Sequence, residues 1–168
     1  MDTFLAIASK RDQREYADRE IPEDLVERIL QAGRITGSAQ NRQPWRFVVL
    51  ESSEVRRQVA QTVYVPGNVE GSKLAIAIVV KGSPGFDSGR SAQNMMLAAW
   101  NEGVTSCPNG MPDAEATSAA LGLGDEERVI NVLSFGYPAD GRSGPDRPAE
   151  EWLGRAKRKP LGELVERR

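Results

Sequence analysis

The sequence contains no histidine and a single cysteine, Cys107. Without histidine one chain cannot build a Ser–His–Asp triad, a Cys–His pair or a His-ligated zinc site. A lone cysteine also excludes an intrachain disulfide and CxxC ligation of zinc or iron–sulfur clusters, so we predict no metal site and a small buried role for Cys107. Any enzymatic chemistry is therefore expected to reside in a bound organic cofactor.

Long apolar runs and a strong charge imbalance are absent as well. No run approaches the ~18 residues that a membrane span requires, and the net charge is −2, which gives no general attraction to nucleic acid or anionic lipid. The opening MDTFLAIASKR has its basic residues after the apolar stretch, the reverse of a secretory signal. We expect a cytoplasmic protein that binds neither nucleic acid nor membrane.

The hydrophobic pattern predicts a mixture of helices and strands. Helices are predicted over 2–10, 22–33, 55–63, 91–101 and 113–121, and strands over 46–50, 74–80 and 128–135. Because these elements interleave without a regular βαβ rhythm, we predict an α+β fold in which helices sandwich a mixed sheet. The length indicates a single domain, 1–168, whose Pro-, Gly- and charge-rich residues 139–168 form a C-terminal arm.

Two polar segments could bind a ligand. The first, KRDQREY (10–16), holds three cations within five residues, which suits a phosphate but also an ordinary solvated helix end. The second, GSAQNRQPWRF (37–47), is dense in short amide and hydroxyl groups that could face a polar heterocycle. An elaborate turn is the alternative, since Pro44 forces Gln43 out of helical conformation.

Five segments, in order along almost the whole chain, resemble the nitroreductase family of flavoproteins. They are KRDQREY (10–16), RILQAGRITGSAQNRQPWRFVVL (28–50), GRSAQNMMLAA (89–99), FGYPA (135–139) and RKPL (158–161). The resemblance implies an FMN-binding, intertwined homodimer. It also implies that the helix 91–101 lies in the dimer core, although its apolar face would equally suit burial within one subunit.

The resemblance further implies a set of FMN-binding residues. The N-terminal cations at 10, 11 and 14, together with Arg158, hold the phosphate and flank the ring. The loop that begins at Ser38 reaches the flavin from the partner subunit, and an N–H of Asn109 or Gly110 donates to flavin N5. The residues are Lys10, Arg11, Asp12, Arg14, Ser38, Ala39, Asn41, Gln43, Asn68, Pro108, Asn109, Gly110 and Arg158. Asp12 stands where a serine is common, and its carboxylate would oppose phosphate binding unless it pairs with Lys10 or Arg14.

The function that the resemblance implies is ping-pong hydride transfer, in which NAD(P)H reduces FMN and a nitroaromatic, quinone or related acceptor is reduced in turn. No side-chain acid is required, so no catalytic residue is assigned beyond flavin N5. The alternatives are a flavin-binding protein without turnover, used for storage or regulation, and a specialised oxidase or dehalogenase. Little sequence is available to roof the flavin, so we expect an open active site or one covered by the C-terminal arm.

Overall fold

The computed structural model describes residues 1–82, 85–142 and 144–168; Ser143, inside the predicted arm, lies outside this range. The helices and strands, in chain order, are α1 (Thr3–Ser9), α2 (Glu23–Arg34), β1 (Trp45–Val49), α3 (Ser53–Ala60), α4 (Pro66–Glu70), β2 (Leu74–Lys81), α5 (Gly85–Asn101), β3 (Thr105–Asn109), α6 (Ala114–Ala120), β4 (Glu127–Gly136) and α7 (Ala149–Arg155).

The four strands form one sheet in the order β1-β2-β4-β3, and every neighbouring pair is antiparallel. The α+β class is confirmed, but the prediction of a mixed sheet needs correction. In the described part of the chain, parallel pairing is confined to an isolated bridge between Asp12 and Ser106. The order of helices and strands did not reveal strand direction, because a helix can return the chain to either end of a sheet.

Helices cover both faces of the sheet. The alternation along β2 sends Ile76 and Ile78 to one face and Ala77 and Val79 to the other, and all four are at most 1% exposed. The first face packs against α2 and α5, and the second packs against α3, α4 and α6. The strand predicted over 74–80 is therefore confirmed, and helices cover both of its faces.

Several local features differ from the sequence-based predictions, and one of them is helix α7, which forms inside the predicted arm. β3 and α4 were not predicted, since TSCPN and PGNVE carry prolines and little apolar pattern. Helix α5 begins at Gly85, six residues before the predicted start. Its first turns are held by tertiary contacts: Asp87 accepts the Ala39 N–H at 2.9 Å, and Arg90 donates to the Gly37 carbonyl at 3.1 Å.

The apolar face of α5 is buried within a single protomer. Met95, Met96, Ala99 and Trp100 are between 0 and 7% exposed in the isolated chain. The alternative of burial inside one subunit therefore accounts for these four residues, and they need no second copy to cover them. A position of the helix in a dimer core stays a prediction.

No helix in the described ranges combines the length and the apolar character that a membrane crossing requires.

Candidate functional site

The segment that follows α1 runs beside the edge strand β3. Asp12 bridges Ser106, and Tyr16 bridges Pro138. Extended backbone sends alternate side chains to opposite sides, so Lys10, Asp12 and Arg14 share one side while Arg11 and Gln13 point to the other. The three cations that the sequence places together are thereby divided between two locations.

Lys10 is held in place on the β3 side. Its ammonium group pairs with the Asp12 carboxylate and lies 3.4 Å from the Ser106 carbonyl and 3.6 Å from the Met96 sulfur. The side chain is only 9% exposed. Asp12 was expected to oppose phosphate binding unless its carboxylate paired with Lys10 or Arg14. The structure shows the pair with Lys10.

Arg14 reaches the next residue of β3. Burial raises the pKa of the Cys107 thiol, and the nearby Arg14 guanidinium, which hydrogen-bonds the sulfur, opposes that rise. Cys107 is 1% exposed, so the predicted role as a small buried residue is confirmed.

The far end of β3 presents backbone rather than side chains. The side-chain Nδ2 of Asn109 donates to the Val132 carbonyl at 2.9 Å, to Ser134 Oγ at 3.1 Å and to the Cys107 carbonyl at 3.2 Å. These bonds commit its side chain to the sheet interior. The Asn109 Oδ1 atom is buried and accepts no hydrogen bond from a described residue, and the role implied for the main-chain N–H groups of Asn109 and Gly110 stays a prediction.

Tyr64 was missed at the level of sequence. Its N–H donates to the Gly110 carbonyl at 3.0 Å, and its ring packs so closely that a Cβ on Gly110 would lie 3.0 Å from it. The residue remains 72% exposed. No local signal could have shown this contact, because the two residues are far apart in the chain and meet only through the fold.

Asn68 lies one turn beyond Tyr64, in α4. The residue is 6% exposed, and its side-chain amide forms no hydrogen bond with any residue that the structure describes. Neither polar atom of this amide is among the buried atoms that lack a partner, so the amide reaches solvent and can pair with a ligand group that approaches it.

Residues 38–43 lie at the opposite edge of the sheet. They lead directly into β1, whereas residues 10–14 flank β3, and three strand spacings of ~4.8 Å separate those edges. Within one protomer the loop with Ser38, Ala39, Asn41 and Gln43 is therefore not brought to the other predicted site residues.

The same loop has an unusual backbone. Gln40, Asn41 and Gln43 have φ values of 54°, 54° and 48°, a left-handed conformation that costs a non-glycine residue ~1–2 kcal/mol. The Ser38 hydroxyl stabilises it by accepting the Gln43 N–H at 2.9 Å. Such strain concentrates at ligand sites, and it favours the functional interpretation over a plain turn.

Arg11 and Arg158 do not meet. Arg158 is exposed and donates to the Ala156 carbonyl at 3.0 Å, whereas Arg11 lines a cavity beside α7 that Arg158 does not reach. The predicted convergence of these two residues on one phosphate is not seen in the protomer.

Comparison with known proteins decides the family. The sequence model of the nitroreductase family matches residues 7–78 and 84–137. The chain belongs to the nitroreductase family. The match confirms the predicted enzyme class, an oxidoreductase of the nitroreductase type.

Individual relatives agree with this assignment. A protein from Archaeoglobus fulgidus, named provisionally as an NADH dehydrogenase/NAD(P)H nitroreductase, is 31% identical over 87% of this chain and 96% of its own length. A nitroreductase family protein from Clostridium difficile 630 superposes with a TM-score of 0.79 at 23% identity, covering 99% of this chain and 98% of its own. An FMN-dependent nitroreductase from Clostridium difficile R20291 gives 0.76 at 22% identity, covering 87% and 92%.

In this nitroreductase-family chain, the donor set along β3 fits FMN. Lys10 and Arg14 supply positive charge for a phosphate, the backbone at Asn109 and Gly110 can face a ring edge, and the unpartnered Asn68 amide can pair with a pyrimidine edge. These three kinds of group are what a phosphorylated heterocycle needs.

One residue beside this site should titrate abnormally. Burial raises the pKa of Tyr16 to about 12, and its 2.8 Å hydrogen bond with Ser134 opposes part of that rise. The folded protein therefore holds this proton more tightly than the unfolded chain, whose tyrosines titrate near ~10. We expect this difference to contribute about 3 kcal/mol to the free energy of unfolding below pH ~10, and the contribution to be lost as the pH rises to ~12.

Denaturant titrations between pH 9 and 12 measure this change in the free energy of unfolding. Tyr16→Phe should lack this part of the alkaline loss, while the exposed Tyr64→Phe should retain it. Identical alkaline curves for Tyr16→Phe and the wild type would show that Tyr16 does not carry the effect.

Proposed function

We propose that this chain is an FMN-dependent oxidoreductase that uses NADH or NADPH to reduce a nitroaromatic, quinone or related small acceptor, and that it works as a homodimer. The observation that carries the proposal is the gathering of Lys10, Arg14, Gly110 and Asn68 along β3 in a chain that belongs to the nitroreductase family. Names of relatives add support: one is called NAD(P)H nitroreductase and another FMN-dependent nitroreductase.

Lys10 and Arg14 would hold the phosphate and flank the ring. Lys10 is fixed in position by Asp12, by the Ser106 carbonyl and by burial, so little side-chain entropy is lost when an anion binds. Arg14 offers a planar fork suited to phosphate oxygens. A cation in this position also favours a ring that gains negative charge on reduction.

Backbone and amide groups would orient the ring. The main chain at Asn109 and Gly110 is rigid, because the Asn109 side chain is anchored by three hydrogen bonds. The Asn68 amide would gain a partner at the pyrimidine edge. When bound there, FMN supplies the chemistry that the side chains lack, accepting a hydride from a nicotinamide and returning the electrons to an acceptor.

The position of the loop supports the proposal of a second subunit. Residues 38–43 lie at the far edge of the sheet from β3, so they can contribute Ser38, Ala39, Asn41 and Gln43 to a flavin on β3 only from another copy. The strained backbone of Gln40, Asn41 and Gln43 is consistent with a loop shaped to contact a ligand across an interface.

Tyr64 is the residue best placed to contact a substrate. Its exposed ring packs against Gly110, beside the backbone proposed to meet the ring. Aromatic faces stack on flat, electron-poor acceptors, so Tyr64 partly replaces the roof for which this short chain has little sequence.

The test is to purify the chain, record its visible spectrum, and identify the released chromophore by mass spectrometry. We expect FMN, oxidation of NADH or NADPH with quinone and nitroaromatic acceptors, parallel lines in double-reciprocal plots, and a dimer by sedimentation. A colourless protein that cannot be reconstituted with FMN would contradict the proposal.

Other outcomes identify the alternatives. Bound FMN without NAD(P)H oxidation would indicate storage or regulation, and consumption of O₂ without turnover of either acceptor class would indicate an oxidase. A monomer that retains FMN would show that no partner loop is needed.

A further inference from the structure

One buried hydroxyl, that of Ser134, lies between two segments that are proposed to hold FMN. Ser134 belongs to β4, is 0% exposed, and pairs with Cys107 in the register of β3 and β4. Its hydroxyl contacts Tyr16 at the end of the 10–16 segment and also Asn109 at the end of β3. A side chain in this place can fix the two segments relative to each other.

The Ser134 hydroxyl uses its full capacity for hydrogen bonds. It donates to the Cys107 carbonyl at 3.3 Å, accepts from Nδ2 of Asn109 at 3.1 Å, and lies 2.8 Å from the Tyr16 hydroxyl. A serine hydroxyl can donate one hydrogen bond and accept two, so these three partners satisfy it. A chain of hydrogen bonds therefore runs from Tyr16 through Ser134 to Asn109.

Tyr16 anchors this chain in the 10–16 segment. Its ring packs on β4 so closely that a Cβ on Gly136 would lie 2.6 Å from it, and its backbone bridges Pro138. Tyr16 follows Arg14 by two residues. A change in the position of its ring is therefore expected to move the guanidinium group that is proposed to meet the phosphate.

The Asn109 side chain anchors the chain of hydrogen bonds in β3. Besides Ser134 Oγ, its Nδ2 has two carbonyl acceptors, those of Val132 and Cys107. An amide NH₂ group has only two protons for these three acceptors, so the Ser134 hydroxyl affects how the protons are shared. The orientation of the amide is coupled to the adjoining main chain at Asn109 and Gly110, the part implied to face flavin N5.

We propose that Ser134 is a positioning residue for the flavin. Because its side chain is fully buried, it cannot touch the ring, and its effect passes through Tyr16 and Asn109. The inference rests on the proposed function, since it requires FMN beside β3. A purely structural role, in which the hydroxyl only satisfies buried partners, predicts a loss of stability without any change at the ring.

The test compares Ser134→Ala, Tyr16→Phe and the double variant with the wild type. Each apoprotein is titrated with FMN by fluorescence, and the protein reconstituted with FMN isotopically labelled at N5 is measured by nitrogen NMR, which responds to hydrogen bonding at that atom. We expect Ser134→Ala to raise the Kd for FMN about 10-fold and to shift the N5 resonance. Tyr16→Phe alone should raise the Kd about 5-fold, but by less than about 2-fold in the Ser134→Ala background, because both substitutions break the same chain of hydrogen bonds.

Two further variants separate positioning from stability. Ser134→Thr keeps the hydroxyl and should restore the wild-type Kd and N5 resonance. Thr117→Val removes a different buried hydroxyl, which bonds the Thr62 hydroxyl at 2.8 Å and joins α6 to the chain after α3, and it should change neither value. If the added methyl group of Ser134→Thr prevents folding, as judged by circular dichroism, the comparison with Thr117→Val still decides.

Three results would overturn this inference while the proposed function stands. They are an N5 resonance that Ser134→Ala leaves in place, a Kd that Thr117→Val raises as much as Ser134→Ala, and effects of Tyr16→Phe and Ser134→Ala on the Kd that simply multiply. A wild-type chain that does not bind FMN overturns the proposed function and this inference together.

Discussion

Replacing Lys10 and Arg14 together with alanine is expected to strip FMN from the protein. Each substitution removes charge-assisted contacts worth ~1.5–3 kcal/mol, so the Kd for FMN should rise on the order of 10²–10⁴-fold. The loss should be amplified by Asp12, since Lys10 is its ion-pair partner. A carboxylate left without that cation would repel the phosphate.

The measurement is FMN content after gel filtration, followed by fluorescence titration of the apoprotein with FMN. A charge-matched control is Arg57→Ala with Arg168→Ala, because both arginines are exposed and pair with glutamates of their own segments. The control should keep its FMN. Full retention of FMN in the Lys10 and Arg14 double variant would show that the phosphate is held elsewhere.

The second large effect is expected at Gly136, the last residue of β4. A Cβ there would lie 2.6 Å from the Tyr16 ring and 2.9 Å from the Tyr16 Cβ, so rotation of the ring alone cannot relieve the clash. Tyr16 is further held by its bridge to Pro138 and its hydrogen bond with Ser134. Gly136→Ala should therefore lower the free energy of unfolding by ~3–5 kcal/mol through overpacking and loss of a buried hydrogen bond.

Denaturant unfolding measures this loss, and Gly89→Ala is the control. Gly89 is exposed in helix α5 with nothing within 4 Å of an added Cβ, so its substitution should stabilise the protein by up to ~1 kcal/mol. Since Tyr16 follows Arg14 by two residues, Gly136→Ala should also weaken FMN binding. A Gly136→Ala protein as stable as the wild type would show that the N-terminal segment is not packed against β4 as described.

The sequence predicted those parts of the fold whose signal is local. Each of four elements, β2, β4, α2 and α5, buries a continuous apolar face. Hydrophobic periodicity in the sequence predicts such buried faces. β3 gave no such signal, because an edge strand containing Pro108 is stabilised by its pairing with β4 rather than by its own pattern. For the same reason Tyr64 beside Gly110 could not be foreseen.

The amino-acid sequence by itself determined the chemical class of this protein. The absence of histidine and the single cysteine left the chemistry to an organic cofactor, because residue types limit chemistry wherever they lie. The resemblance of five ordered motifs to the nitroreductase family implied that this cofactor is a flavin. Only the tertiary structure decided where the three N-terminal cations point. Once residues 10–16 run as extended chain beside β3, alternation sends Lys10 and Arg14 to one side and Arg11 to the other.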